Sequence, residues 1–97
     1  MGEFSLRITS QADRDLREIV GYIARDNPAA AERVGLRLIE RVELLKNFPK
    51  LGREIRQRRG DRVLAEGNIL IFYRLDLSAR IVEIKRFWHS ARGIPDL

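Results

Sequence analysis

The sequence predicts a single α+β domain over residues 1–97: an N-terminal strand, an antiparallel helical hairpin, then a three-stranded antiparallel meander, with both helices on one face of the sheet. Three observations carry this. Residues 69–76 (ILIFYRLD) and 81–88 (IVEIKRFW) are rich in β-branched and aromatic side chains, which suit a pleated, half-buried surface, and the short link Leu77-Ser78-Ala79 makes them a hairpin. Two stretches with helically spaced apolar residues are separated only by Asp26-Asn27-Pro28, too short a connection for anything but an antiparallel pair. Ninety-seven residues leave room for one core.

Taken in order, Phe4, Leu6 and Ile8 alternate with Ser5 and Arg7, the pattern of a half-buried strand. Ser10 is the expected cap of the first helix, with Asp13 completing a weak capping box. Ala12, Leu16, Ile19, Val20 and Ile23 form its apolar stripe, and Asp13 and Asp15 complement the dipole in its first turn. Pro28 biases Asn27 away from helical geometry and suits the first position of a second helix, which Asn27 caps. Ala31, Val34, Leu38, Val42 and Leu45 are the second stripe, ending near Asn47-Phe48 before Pro49. Gly21 and Gly35 each cost about 1 kcal/mol inside a helix, for which close helix–helix approach would compensate.

Residues 50–60 hold five basic residues and one acid without periodicity, and read as a mobile basic loop. Residues 63–65 are a short strand, and Glu66-Gly67-Asn68 a turn. In the central strand Ile69, Ile71, Tyr73 and Leu75 share an apolar face, whereas Leu70 and Phe72 share the other with Arg74 and Asp76. Exposed Leu70 and Phe72 would be a liability unless a partner covers them. Tyr73 and Trp88 are expected in the core.

The formal net charge is +5, and all of it lies in the second half: residues 1–49 carry eight basic and eight acidic residues, residues 50–97 eleven and six. Such asymmetry suits an acidic partner. With no cysteine, disulfides, thiolate metal sites and a cysteine nucleophile are excluded. A cytoplasmic protein with no membrane span or signal peptide is expected.

No phosphate loop, metal-ligand cluster or paired-carboxylate motif is present, so neither metal nor cofactor is expected. What remains is Arg62, Arg74, Arg86 and His89. Cleaving a phosphodiester without metal needs cations on the phosphate and a group that titrates near neutrality, and these residue types supply both. The plainer reading pairs Arg74 and Arg86 with Asp76 and Glu83, and leaves His89 capping the sheet edge.

Four segments carry a family resemblance. Residues 22–31 (YIARDNPAAA) resemble the helical-hairpin turn of the ParE branch of the RelE/ParE toxin superfamily, and Phe48-Pro49-Lys50-Leu51-Gly52-Arg53 resembles its P-x-x-G-R segment. Ile71-Phe72-Tyr73-Arg74 is similar to its I-x-Y-R strand, and residues 83–92 (EIKRFWHSAR) to its R-x-x-H-x-x-R ending. Their order agrees from Ser10 to Arg92.

The resemblance implies the toxin of a type II toxin–antitoxin system, of the kind tied to plasmid stabilisation. It implies a hetero-oligomeric complex with a cognate ParD-like antitoxin whose acidic C-terminal segment wraps the toxin. Leu70, Phe72, Arg53, Arg56, Arg58, Arg59 and Trp88 are the expected antitoxin-binding residues. ParE-branch members poison DNA gyrase and are not known enzymes, and this is the expected activity. The alternative is a metal-independent mRNA endoribonuclease of RelE type, with Arg62, Arg74, Arg86 and His89 as its catalytic candidates. A second alternative is a degenerate toxin that only binds antitoxin. The chain departs from the nuclease pattern in having no C-terminal tyrosine and only Lys50 before the central strands.

Overall fold

The structure, a computed structural model, describes residues 3–93 and 95–97. Strand β1 (Ser5–Ile8) is followed by helices α1 (Ser10–Ala24) and α2 (Pro28–Leu44). Strands β2 (Arg53–Glu54), β3 (Asp61–Glu66), β4 (Ile69–Asp76) and β5 (Ile81–His89) follow, then a single 3-10 turn, Ser90–Arg92. The five strands form one mixed sheet in the order β1-β5-β4-β3-β2. β1 runs parallel to β5, and every other pair is antiparallel. The helical hairpin carries the chain from one sheet edge to the other, and this lets the first and last strands pair.

The hairpin turn forms as the local sequence dictates. Asn27 accepts from the Ala30 N–H at 3.1 Å, and Pro28 stands at the start of α2. The first helix is capped one residue earlier than expected: Thr9, not Ser10, accepts from the Ala12 N–H. Thr9 also donates its hydroxyl to the Lys85 carbonyl, so its position is set by β5 as well as by the helix. Gly35 lies where an added Cβ would meet Val20 at 3.4 Å, consistent with close helix packing. Gly21 faces open space, so close approach does not explain it.

One face of the sheet meets the helices. Leu38, Val42 and Leu45 from the second helix and its exit turn pack with Ala12, Ile69, Ile71, Tyr73, Val82, Ile84 and Phe87. Leu16, Ile19 and Val34 border this core and are partly buried. A register shift at Phe72/Tyr73 bulges β5 at Lys85, so that Ile84 and Phe87 both point into the core.

Two sequence expectations fail here. Residues 50–60 are not loop throughout: Arg53 and Glu54 pair with Val63 and Arg62 as a fifth strand. Nor are Leu70 and Phe72 bare. Val63, Phe72 and Trp88 form a small second core, flanked by Leu70 and covered by Ile55 and Leu97. Phe72 keeps 6% of its surface exposed and Trp88 9%. The chain itself covers most of Phe72 and Trp88, while Ile55 and Leu70 stay partly exposed.

Candidate functional site

Tyr73 organises the basic end of the sheet. Its hydroxyl donates to the Pro49 carbonyl at 2.7 Å and accepts from the Gly52 N–H at 2.9 Å. Burial pushes its pKa up. A Cβ on Gly52 would sit 2.7 Å from the Val63 carbonyl oxygen and 2.8 Å from the Tyr73 ring and hydroxyl. The segment Pro49-Lys50-Leu51-Gly52 and the strand Ile71-Phe72-Tyr73-Arg74 are therefore two halves of one lock.

Arg62 closes the same lock. It donates to the Gly52 carbonyl at 2.6 Å and pairs with Glu54 at 3.3 Å. Arg74 lies on the other sheet face, paired with Asp61 at 3.1 Å. Asp61 is 1% exposed and also faces Lys85 at 3.7 Å. Neither Arg74 nor Arg86 pairs with Asp76 or Glu83: Glu83 meets Arg7, and Asp76 accepts from Ala79 and Ser78 within its own turn.

Arg86 is committed elsewhere again. Past the end of β1, the outer edge of β5 would leave an unpaired N–H at Phe87. Asp15 of α1 accepts from it at 3.1 Å, and takes Arg86 Nε at 2.7 Å and Nη2 at 2.9 Å. Burial pushes the Asp15 carboxyl up, but the donors from Arg86, Gln11 and Phe87 outweigh it and leave the pKa below its ordinary 3.8. The hydrogen bonds that Arg86 donates to Asp15 raise its own pKa in turn. The Arg86 guanidinium also lies 4.9 Å from the Trp88 ring centre, with Arg92 at 4.2 Å. His89 caps the 3-10 turn, Nδ1 accepting from the Ala91 N–H, and lines a groove of about 450 Å³ with Tyr22 and Ile69.

The four catalytic candidates are thus dispersed. Arg62 and Arg74 line one basic groove of about 650 Å³, with Lys50 and Arg59. Arg86 is tied to the helix edge, and His89 lines a groove of different walls. The antitoxin set divides too. Arg53, Arg58, Leu70 and Phe72 line a groove of about 380 Å³ on the second face, Arg59 lines the basic groove, and Arg56 is exposed. Sequence reasoning missed Asp61 and Lys85, and it gave Asp15 a helix-dipole role: only Asp13 lies in the first turn of α1, and Asp15 is taken up by Arg86 and the Phe87 N–H. For Asp15 there was a signal: it falls three residues after Ala12 and four before Ile19, so a carboxylate stands on the apolar stripe and needs a buried cation.

Comparison with known proteins places this architecture. The fold matches a solved structure described as the chromosomal ParDE system from P. aeruginosa, with a TM-score of 0.77 and 21% identity over 92% of this chain and 98% of that one. It also matches the Mycobacterium tuberculosis RelBE2 toxin–antitoxin complex, with a TM-score of 0.69 and 25% identity over 90% and 98%. Two helices on a five-stranded mixed sheet, joined in this order, are the RelE/ParE toxin fold. A Sinorhizobium fredii (strain NGR234) protein named "Putative toxin Y4kP" is 36% identical over 99 residues, covering 100% of this chain and 99% of that protein. Residues 6–94 match the family described as the ParE toxin of the type II toxin–antitoxin system parDE. The chain belongs to the ParE toxin family.

Proposed function

We propose that this toxin inhibits growth by binding rather than by catalysis, with DNA gyrase as its target, and that a cognate antitoxin neutralises it. The observation that carries this reading is the employment of the four nuclease candidates. Arg62 holds backbone carbonyls, Arg74 and Arg86 hold buried carboxylates, and His89 caps a turn away from all three. A ribonuclease needs cations converging on one phosphate with a proton carrier beside them. Here removing any of the three arginines would first disturb the fold.

The antitoxin reading rests on family membership and on the second sheet face. The groove there pairs apolar Ile55, Leu70 and Phe72 with Arg53 and Arg58, chemistry suited to an acidic segment with spaced apolar residues. Charge would speed association and apolar contact would set the dissociation rate.

One observation favours the ribonuclease reading. The Arg74 side chain is half exposed over Asp61, which Lys85 also faces, so two cations and a carboxylate stand together on the second face. Expressing the toxin without antitoxin separates the readings. Trapped gyrase–DNA cleavage complexes without new RNA 5′ ends support gyrase, and new RNA ends without trapped gyrase overturn it.

A further inference from the structure

Phe48, Leu51 and Leu77 are 59%, 45% and 59% exposed, and they gather with Phe4 and Pro49 around one shallow cavity of about 470 Å³. Single exposed leucines are ordinary, whereas several converging from distant parts of a chain mark a contact surface. Both segments are anchored from beneath. The Tyr73 hydroxyl clasps Pro49 and Gly52 on either side of Leu51, and the Asp76 carboxylate closes the turn that carries Leu77 by accepting from Ala79 and Ser78. Apolar side chains held outward on fixed backbone lose little freedom on binding, so the patch is preorganised.

The patch runs into the basic groove, since Lys50 and Leu77 line both. That groove sets Lys50, Arg59, Arg62 and Arg74 against Glu54 and Asp76. The two carboxylates oppose a continuous run of phosphates. They tolerate a protein segment, which can place separate acids between the cations and lay an apolar side chain on Phe48 and Leu77. The combined surface shares no lining residue with the second-face groove assigned to the antitoxin.

We propose that this combined surface docks the toxin's protein target, through a segment that presents an apolar anchor flanked by carboxylates, while the antitoxin binds elsewhere. This rests on the binding-toxin reading and names the surface through which it acts.

The test is a separation of functions. The double variant Phe48→Ser/Leu77→Ser is expressed in cells and assayed with purified gyrase, and its affinity for the protein encoded beside the toxin gene is measured. Both side chains are exposed, and an unchanged melting temperature confirms folding. Leu77→Glu, at the hairpin tip, repeats the test should the double variant be unstable. Leu36→Ser/Ile39→Ser, on the exposed face of α2, is the control that keeps full activity. The expected result is a loss of about tenfold or more in growth inhibition and gyrase trapping, with antitoxin affinity held within about twofold. Unchanged growth inhibition overturns the proposal, and so does an equal loss of antitoxin affinity. Tight binding of duplex DNA by the wild type, abolished by Arg59→Glu, would replace the protein partner by nucleic acid and overturn it too. Growth arrest by the wild type without gyrase trapping, still lost in the variant, keeps the surface and removes gyrase as its occupant.

Discussion

Replacing Asp15 by alanine tests how the helices are joined to the sheet. Asp15 is 4% exposed and binds Arg86 through both carboxylate oxygens while also serving the Phe87 N–H. Its removal leaves a largely buried guanidinium and a backbone donor without a partner. Breaking one side of a buried pair costs about 3–5 kcal/mol, a large part of the roughly 5–15 kcal/mol that holds a domain together. For a domain of this length each kcal/mol shifts the melting temperature by about 4–8 °C, so the expected loss is roughly 12–40 °C. Asp15→Asn keeps one acceptor and should fall between the two. Replacing both partners, Asp15→Leu with Arg86→Met, should recover much of the loss, because the uncompensated charge is gone. Urea unfolding of the three proteins measures each value. A cost below about 1 kcal/mol for Asp15→Ala would refute the buried pair and leave Arg86 free for chemistry.

Other perturbations read other parts of the fold. Gly52→Ala pushes a methyl against the Val63 carbonyl and the Tyr73 ring, and should cost at least about 1–3 kcal/mol by calorimetry. Leu38→Ala empties a fully buried site between α2 and the sheet, and urea unfolding should show a loss of about 2–5 kcal/mol. The pH dependence follows from the lowered pKa of Asp15: its contribution is fully present above the unfolded value of 3.8 and is lost as the pH falls through the lower folded value. The wild-type melting temperature should thus drop on acidification below about pH 4, and Asp15→Asn should flatten that drop.

Local signals were legible in the sequence, and distant pairings were not. Asn27 and Pro28 set the helical turn by their own chemistry, and Leu38 and Val42 announced the buried face of α2 by spacing alone. The pairing of β1 with β5 could not be read, because Ser5–Ile8 specifies a strand and not its neighbour. Strand β2 exists only because β3 lies beside it, and Arg53 and Glu54 show no period of their own. The start of the stretch that reads as a loop is tied to a hydroxyl on Tyr73, 21 residues beyond Gly52. At the candidate site the residue types were found but their employment was not. Arg86 and Asp15 are 71 residues apart, and the contact that decides Arg86's role appears only once α1 folds over the edge of β5.

His89 gives the most direct test of a toxin that acts by binding. It is the only histidine in the chain, the residue type that most often serves as general acid or base, and a metal-independent nuclease built here would depend on it. Its role in the fold is a single cap to the Ala91 N–H, so His89→Ala should fold normally. Expressed without antitoxin, that variant should arrest growth and trap gyrase as the wild type does, with no change in RNA 5′ ends. Loss of growth arrest in a folded, antitoxin-binding His89→Ala protein, together with RNA ends that the wild type makes and the variant does not, would contradict it.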